Sequence, residues 1–158
     1  MFMKRIFAVT LTATVLGQSI AYAGPEAEVL HWWTSGGEAK SVAVLQKEFS
    51  ENGGTWTDMP VAGGGGDAAM TALRARVLSG NAPTAVQLKG PSIQEWYEEG
   101  ALADISSVAE ANGWSDVLPS SIANHMKCEG KWCAAPVNVH RIDWIWANAD
   151  VLESVGAG

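Results

Sequence analysis

Short apolar, β-prone stretches alternate along this chain with longer segments whose apolar residues recur at helical spacing. Residues 28–33, EVLHWW, predict a first strand. Ser35 and Glu38 follow at the spacing of a capping box, in which Ser35 accepts from the Glu38 amide and Glu38 reaches back. Val42, Leu45 and Phe49 stand at i, i+3 and i+7 and predict one apolar helix face, which Asn52-Gly53-Gly54 ends. Residues 55–59 predict a second strand closed by Pro60. The glycine run 63–66 leads to Asp67, read as the N-cap of a second helix lined by Met70, Leu73 and Val77 and closed by Gly80. A phosphate-cradling loop would need Lys-Ser/Thr after its glycines. Asp67 stands there instead and would repel phosphate. Residues 84–88 predict a third strand. Residues 91–99 predict a short helix with Ile93, Trp96 and Tyr97 on one side. After a short extended piece at 101–105, a further helix begins at Ser106 and ends at Gly113.

Strand and helix alternating three times predict an α/β fold, a parallel-rich sheet flanked by helices on both faces. In such sheets ligands bind outside the carboxyl ends of the strands. Trp32 and Trp33 close the first predicted strand, and Gln87 and Lys89 close the third, two residues apart and so on one side. Glu38 lies on the first turn of the first helix. Successive strand residues face opposite ways, so one tryptophan belongs to the core and the other to the open edge; spacing does not say which. Each of these residues also has a purely structural use. Glu38 can complete the capping box, Lys89 can be a solvated strand end, Gln87 can satisfy loop backbone and His140 can be a hydrogen-bonded structural residue. Trp144 and Trp146 share a face and are read as core.

Together the edge residues suit a neutral polyol. An indole face packs on the C–H face of a pyranose ring, while the carboxylate, amide and ammonium bond its hydroxyls. No catalytic nucleophile joins them, since Ser35 lies in T-S-G-G and not in G-x-S-x-G. A glycoside-cleaving enzyme would need a pair of carboxylates, and only Glu38 is well placed. His31, His125 and His140 have no metal-ligand spacing, so no metal or cofactor is expected.

The composition, 47% hydrophobic and 17% charged, is that of a globular protein. The first residues read differently. Lys4 and Arg5 precede a short apolar run diluted by Thr10, Thr12 and Thr14, and Ala21-Tyr22-Ala23 follows. This is the pattern of a cleaved secretory signal over residues 1–23, and the run is shorter than the roughly 20 apolar residues of a spanning helix. Its removal takes away two bases and no acid, so the net charge falls from −7 to −9. So acidic a chain repels phosphate backbones and anionic lipid, and nucleic acid is not an expected partner. The two cysteines, Cys128 and Cys133 in CEGKWC, fit a hairpin turning at Gly130-Lys131. Cys128 would then face Cys133 in a non-hydrogen-bonded pair, and an exported protein can keep that disulfide.

Three stretches, VLHWWTSGGEAK, SGNAPTAVQLKGPSIQEWYEEGALADI and GKWCAAPVNVHRIDWIWANADVLESVG, resemble the bacterial extracellular solute-binding proteins that feed sugar ABC transporters, and within them the periplasmic glucose binders. The resemblance covers residues 28–158. It implies two α/β lobes that close on a sugar like a clamp. It also implies a monomer that binds a monosaccharide such as glucose and delivers it to a membrane permease, and no enzymatic activity. Oligosaccharide binding is the alternative within the family. In this reading residues 24–133 are the first lobe, and 134–158 are the crossover and the start of a second lobe that the chain does not complete. The sugar contacts implied are Trp32, Trp33, Glu38, Gln87, Lys89 and His140, with Trp33 the better match for the stacking ring and Trp32 for the core.

Overall fold

A computed structural model describes residues 24–139 and 146–156. The predicted signal segment, His140 and Trp144 lie outside these residues. In chain order the elements are β1 (Glu26–His31), α1 (Gly36–Glu51), β2 (Thr55–Pro60), α2 (Asp67–Leu78), β3 (Ala85–Val86), α3 (Ser92–Glu98), α4 (Ser106–Ala111), α5 (Trp114–Val117), α6 (Ser120–His125), β4 (Lys127–Cys128), β5 (Lys131–Trp132) and α7 (Ala149–Ser154). β1, β2 and β3 form a parallel sheet in the order β2-β1-β3, and β4 and β5 form an antiparallel hairpin. The register runs from Glu26 opposite Thr55 to His31 opposite Pro60, with Leu30 opposite Val86 on the other side. The carboxyl ends of all three strands therefore align.

Alternation along β1 sorts its side chains between two helical layers. Leu30 faces α2 and α3 and is fully buried with Ala69, Leu73 and Trp96; Met59, Val86 and Leu88 pack around them. Each large apolar side chain enclosed there contributes roughly 1.5–3 kcal/mol. Glu28, on the same face, takes both guanidinium nitrogens of Arg76 from α2, at 2.7 and 2.6 Å. On the opposite face Trp56 meets Phe49 of α1 edge-on, with ring centres 6.2 Å apart. A second cluster joins Ile93 of α3 to Cys128 and Cys133. A third joins Ala109, Ala123 and Trp132, with Trp114 edge-on to Trp132 at 5.4 Å.

Several sequence expectations are corrected. The capping box does not form: Ser35 is the N-cap of α1 but its side chain bonds no helix amide. The first helical residue, Gly36, has φ +58, outside the right-handed helical region that a side-chain cap builds on. On α1 Val42 is buried and Phe49 half-buried as predicted, but Leu45 is 41% exposed. The N-cap of α2 is Gly66 rather than Asp67, which is the first helical residue and places its charge at the positive end of the helix dipole. Trp146, predicted core, is exposed.

The disulfide between Cys128 and Cys133 is present, with Cα atoms 5.9 Å apart, but the hairpin register is not the one predicted. The turn is Glu129-Gly130, so Cys128 faces Lys131 and Lys127 faces Trp132. Two-residue hairpin turns favour positive φ at both positions. Glu129 and Gly130 take φ +49 and +82, the pair of positive angles of a type I′ turn, with the glycine at its second position.

Candidate functional site

The aligned carboxyl ends of β1, β2 and β3 form one edge, where three loops lead into α1, α2 and α3. Trp32 and Trp33 follow β1 directly. The Trp32 backbone N–H donates to Gln87 Oε1 at 3.1 Å, and the Gln87 N–H donates to the Leu30 carbonyl at 2.8 Å, so Gln87 locks the end of β1 to the end of β3. The Lys89 ammonium donates to the carbonyl of Gly65 in the loop after β2. The Lys89 N–H donates to Ser92 Oγ at 3.3 Å, and that hydroxyl donates back to the Lys89 carbonyl at 2.7 Å, which fixes the entry to α3. The Trp32 indole lies against Gly66.

Trp32, Gln87 and Lys89 are thus brought together, and the glycine run is the piece that joins them. Sequence reading gave that run no role beyond leading into the second helix. The signal that marked it was its position, directly beyond the carboxyl end of the second strand. Glu38 stands exposed on the first turn of α1, and no hydrogen bond ties it to the other three among the described residues. The tryptophans divide differently from expectation. Trp32 keeps the core contacts assigned to it but is only half-buried, whereas Trp33 is 5% exposed. β1 ends at His31, so both rings lie in loop backbone, where strand alternation no longer sets their direction.

A second polar pair, missed in the sequence, lies just behind the edge. His31, 4% exposed, donates from Nε2 to Asp58 Oδ1 at 2.9 Å, while its Nδ1 has no hydrogen-bond partner among the described residues. Burial works to raise the pKa of Asp58. The hydrogen bonds from Trp56 Nε1 and His31, with the His31 charge, outweigh it, and the carboxyl titrates below the usual range. Among the described residues no three His, Cys, Asp or Glu side chains converge as a metal site would.

An edge of this kind, with a half-open indole, an amide and an ammonium held on backbone, can pack an apolar face and bond hydroxyls. The family match decides what kind of protein carries it: residues 33–158 match the bacterial extracellular solute-binding proteins. The chain belongs to that family. This solute-binding protein is 50% identical over 156 residues to a probable sugar-binding periplasmic protein of Rhizobium meliloti, covering 98% of the chain and 38% of the relative. It is 54% identical over 129 residues to a probable sugar-binding periplasmic protein of Brucella melitensis, covering 82% of the chain and 31% of the relative. The chain therefore spans about a third of the length of these relatives. An ABC substrate-binding protein from Listeria monocytogenes, solved in complex with cycloalternan, shares the fold with a TM-score of 0.57 at 24% identity, over 69% of this chain and 28% of its own.

Proposed function

We propose that residues 24–133 are the first lobe of a periplasmic sugar-binding protein, that 134–158 begin the crossover to a second lobe, and that the whole serves the permease of an ABC transporter. The chain is a binding module in this reading, not an enzyme, and a monosaccharide such as glucose is its ligand. The observation that carries the proposal is the convergence of Trp32, Gln87 and Lys89 at one sheet edge. The sugar lies with its C–H face on the open side of the Trp32 ring. Lys89 and Glu38 bond its hydroxyls, Gln87 holds the wall, Trp33 backs it, and His140 reaches the ligand from the crossover. The names of the Rhizobium and Brucella relatives support sugar as the ligand and the periplasm as the compartment. A second reading, an oligosaccharide ligand, is favoured by the Listeria protein of the same fold, which is solved in complex with cycloalternan.

Saturation-transfer NMR tests both on the 158-residue chain, because the method registers millimolar binding. Transfer to D-glucose that is lost in Trp32→Ala and kept in Trp33→Ala supports the reading. Loss in Trp33→Ala alone returns the stacking role to Trp33. Transfer to a maltooligosaccharide but not to glucose selects the larger ligand, and turnover of either sugar would overturn a binding role.

A further inference from the structure

Gly66 is buried at the head of α2 with φ +89. A Cβ built there would stand 2.9 Å from Cδ2 and Cε3 of Trp32 and 3.0 Å from Cε2. Cδ2 and Cε2 are the ring-fusion carbons and Cε3 adjoins them, so the contact is with the middle of a rigid plate and not with a flexible tip. Any residue but glycine would both collide with the ring and occupy left-handed backbone, which is strained for an L-residue. The next residue toward the N-terminus, Gly65, accepts from the Lys89 ammonium through its carbonyl. One turn therefore holds two groups that arrive from different strands. The Trp32 main chain is independently fixed by Gln87, so displacing Gly66 cannot be absorbed by sliding the whole of Trp32.

We propose that Gly66 is a positioning residue of the sugar site: its bare Cα seats the Trp32 indole, and through Gly65 the same turn aims the Lys89 ammonium beside it. The inference rests on the sugar reading above for its ligand, but the seat itself does not. An ammonium carries three donors. With one spent on Gly65, two remain to meet ligand hydroxyls at a fixed height beside the ring. Asp67, next in the chain, sets a negative charge at the same turn, which turns the site toward a neutral polyol and away from an anion.

Reductive methylation of lysines, read by mass spectrometry, reports the seat without any sugar, and saturation transfer to D-glucose reports its effect on binding. Gly66→Ala should raise Lys89 labelling, because the ammonium loses its hold on the Gly65 carbonyl, and cut transfer to glucose by more than half. Gly64→Ala, whose added methyl would meet nothing within 4 Å, should change neither. If Gly66→Ala folds poorly, the epistasis still decides. Its loss in melting temperature should be smaller in a Trp32→Ala background, because the collision is gone. Unchanged Lys89 labelling in a folded Gly66→Ala protein, or an equal loss in melting temperature with and without the ring, overturns the proposal. Absence of glucose transfer in the unmodified protein defeats the sugar reading and leaves the labelling to judge the seat.

Discussion

Glu28 and Arg76 show how much one pair of residues does for the sheet. The carboxylate on β1 grips the guanidinium of α2 with both oxygens, and Arg76 Nε also donates to the Asn81 carbonyl at 2.7 Å, closing the C-terminal end of that helix. The hydrogen bonds from Arg76, with its charge, hold the Glu28 pKa below its ordinary 4.5 against the opposing effect of burial. A carboxyl that titrates lower folded than unfolded contributes stability that is complete above the unfolded value and lost as pH falls through the folded one. The melting temperature should therefore drop steeply from about pH 4.5 downward, and Asp58, shifted in the same direction, should add to the drop. Glu28→Gln should melt lower at pH 7 and show a flatter acid limb. A curve parallel to the parent's would mean that the pair has no linked role. The pair was invisible in the sequence because its partners are 48 residues apart. Trp32, Gln87 and Lys89 were legible because strand ends in a parallel sheet gather at one edge whatever their separation. The division of exposure between the two tryptophans was not legible, because it depends on where β1 stops.

At the scale of elements, periodicity placed the helices and strands well and their ends less well. The apolar spacing found α1, α2 and α3, and Gly80 closes α2 as read, with its N–H on the Val77 carbonyl at 3.0 Å. What failed were the local polar details, the capping box and the Asp67 cap, because glycines at those helix starts steer the backbone away from the geometry a side-chain cap needs. The hairpin is the sharpest case. The right cysteines were paired in the wrong register, because Gly130 belongs at the second turn position. The closed loop is short, so the disulfide should contribute about 2 kcal/mol by the chain-entropy relation. Both cysteines are buried against Ile93 of α3, so its loss should also loosen that helix. Reduction with a phosphine, or Cys128→Ser with Cys133→Ser, should lower the melting temperature measurably. A non-reduced digest should yield the linked peptide, and free thiols in protein isolated from the periplasm would contradict the bond.

For the molecule as a whole, one edge offers one wall. Binding sites bury about 70–90% of a small ligand's surface, and a sugar placed on Trp32 as proposed would leave its other face in water, where hydroxyls gain little by exchanging partners. The 158-residue chain should bind D-glucose with a dissociation constant weaker than about 1 mM by NMR titration. A micromolar value would show that the wall suffices. Val44 and Leu45 stand exposed on α1, and Leu78 on α2. Apolar residues scattered in this way are ordinary on a protein surface, so the chain should keep a constant sedimentation coefficient as concentration rises; a growing one would contradict this.

The central strand of the sheet is also the first in the chain. Glu26 must wait for Thr55, 29 residues later, and Val29 for Ala85, 56 residues later, before either edge of β1 is paired. No local hairpin can start this sheet, and contacts so distant in sequence slow folding. A chain built this way remains open while it is being made and closes only when its third strand arrives. Its hairpin disulfide, by contrast, joins residues five apart and needs no distant partner once Cys133 has been made. Order of synthesis and order of assembly thus differ: β1 keeps one edge unpaired until residue 85 has been made.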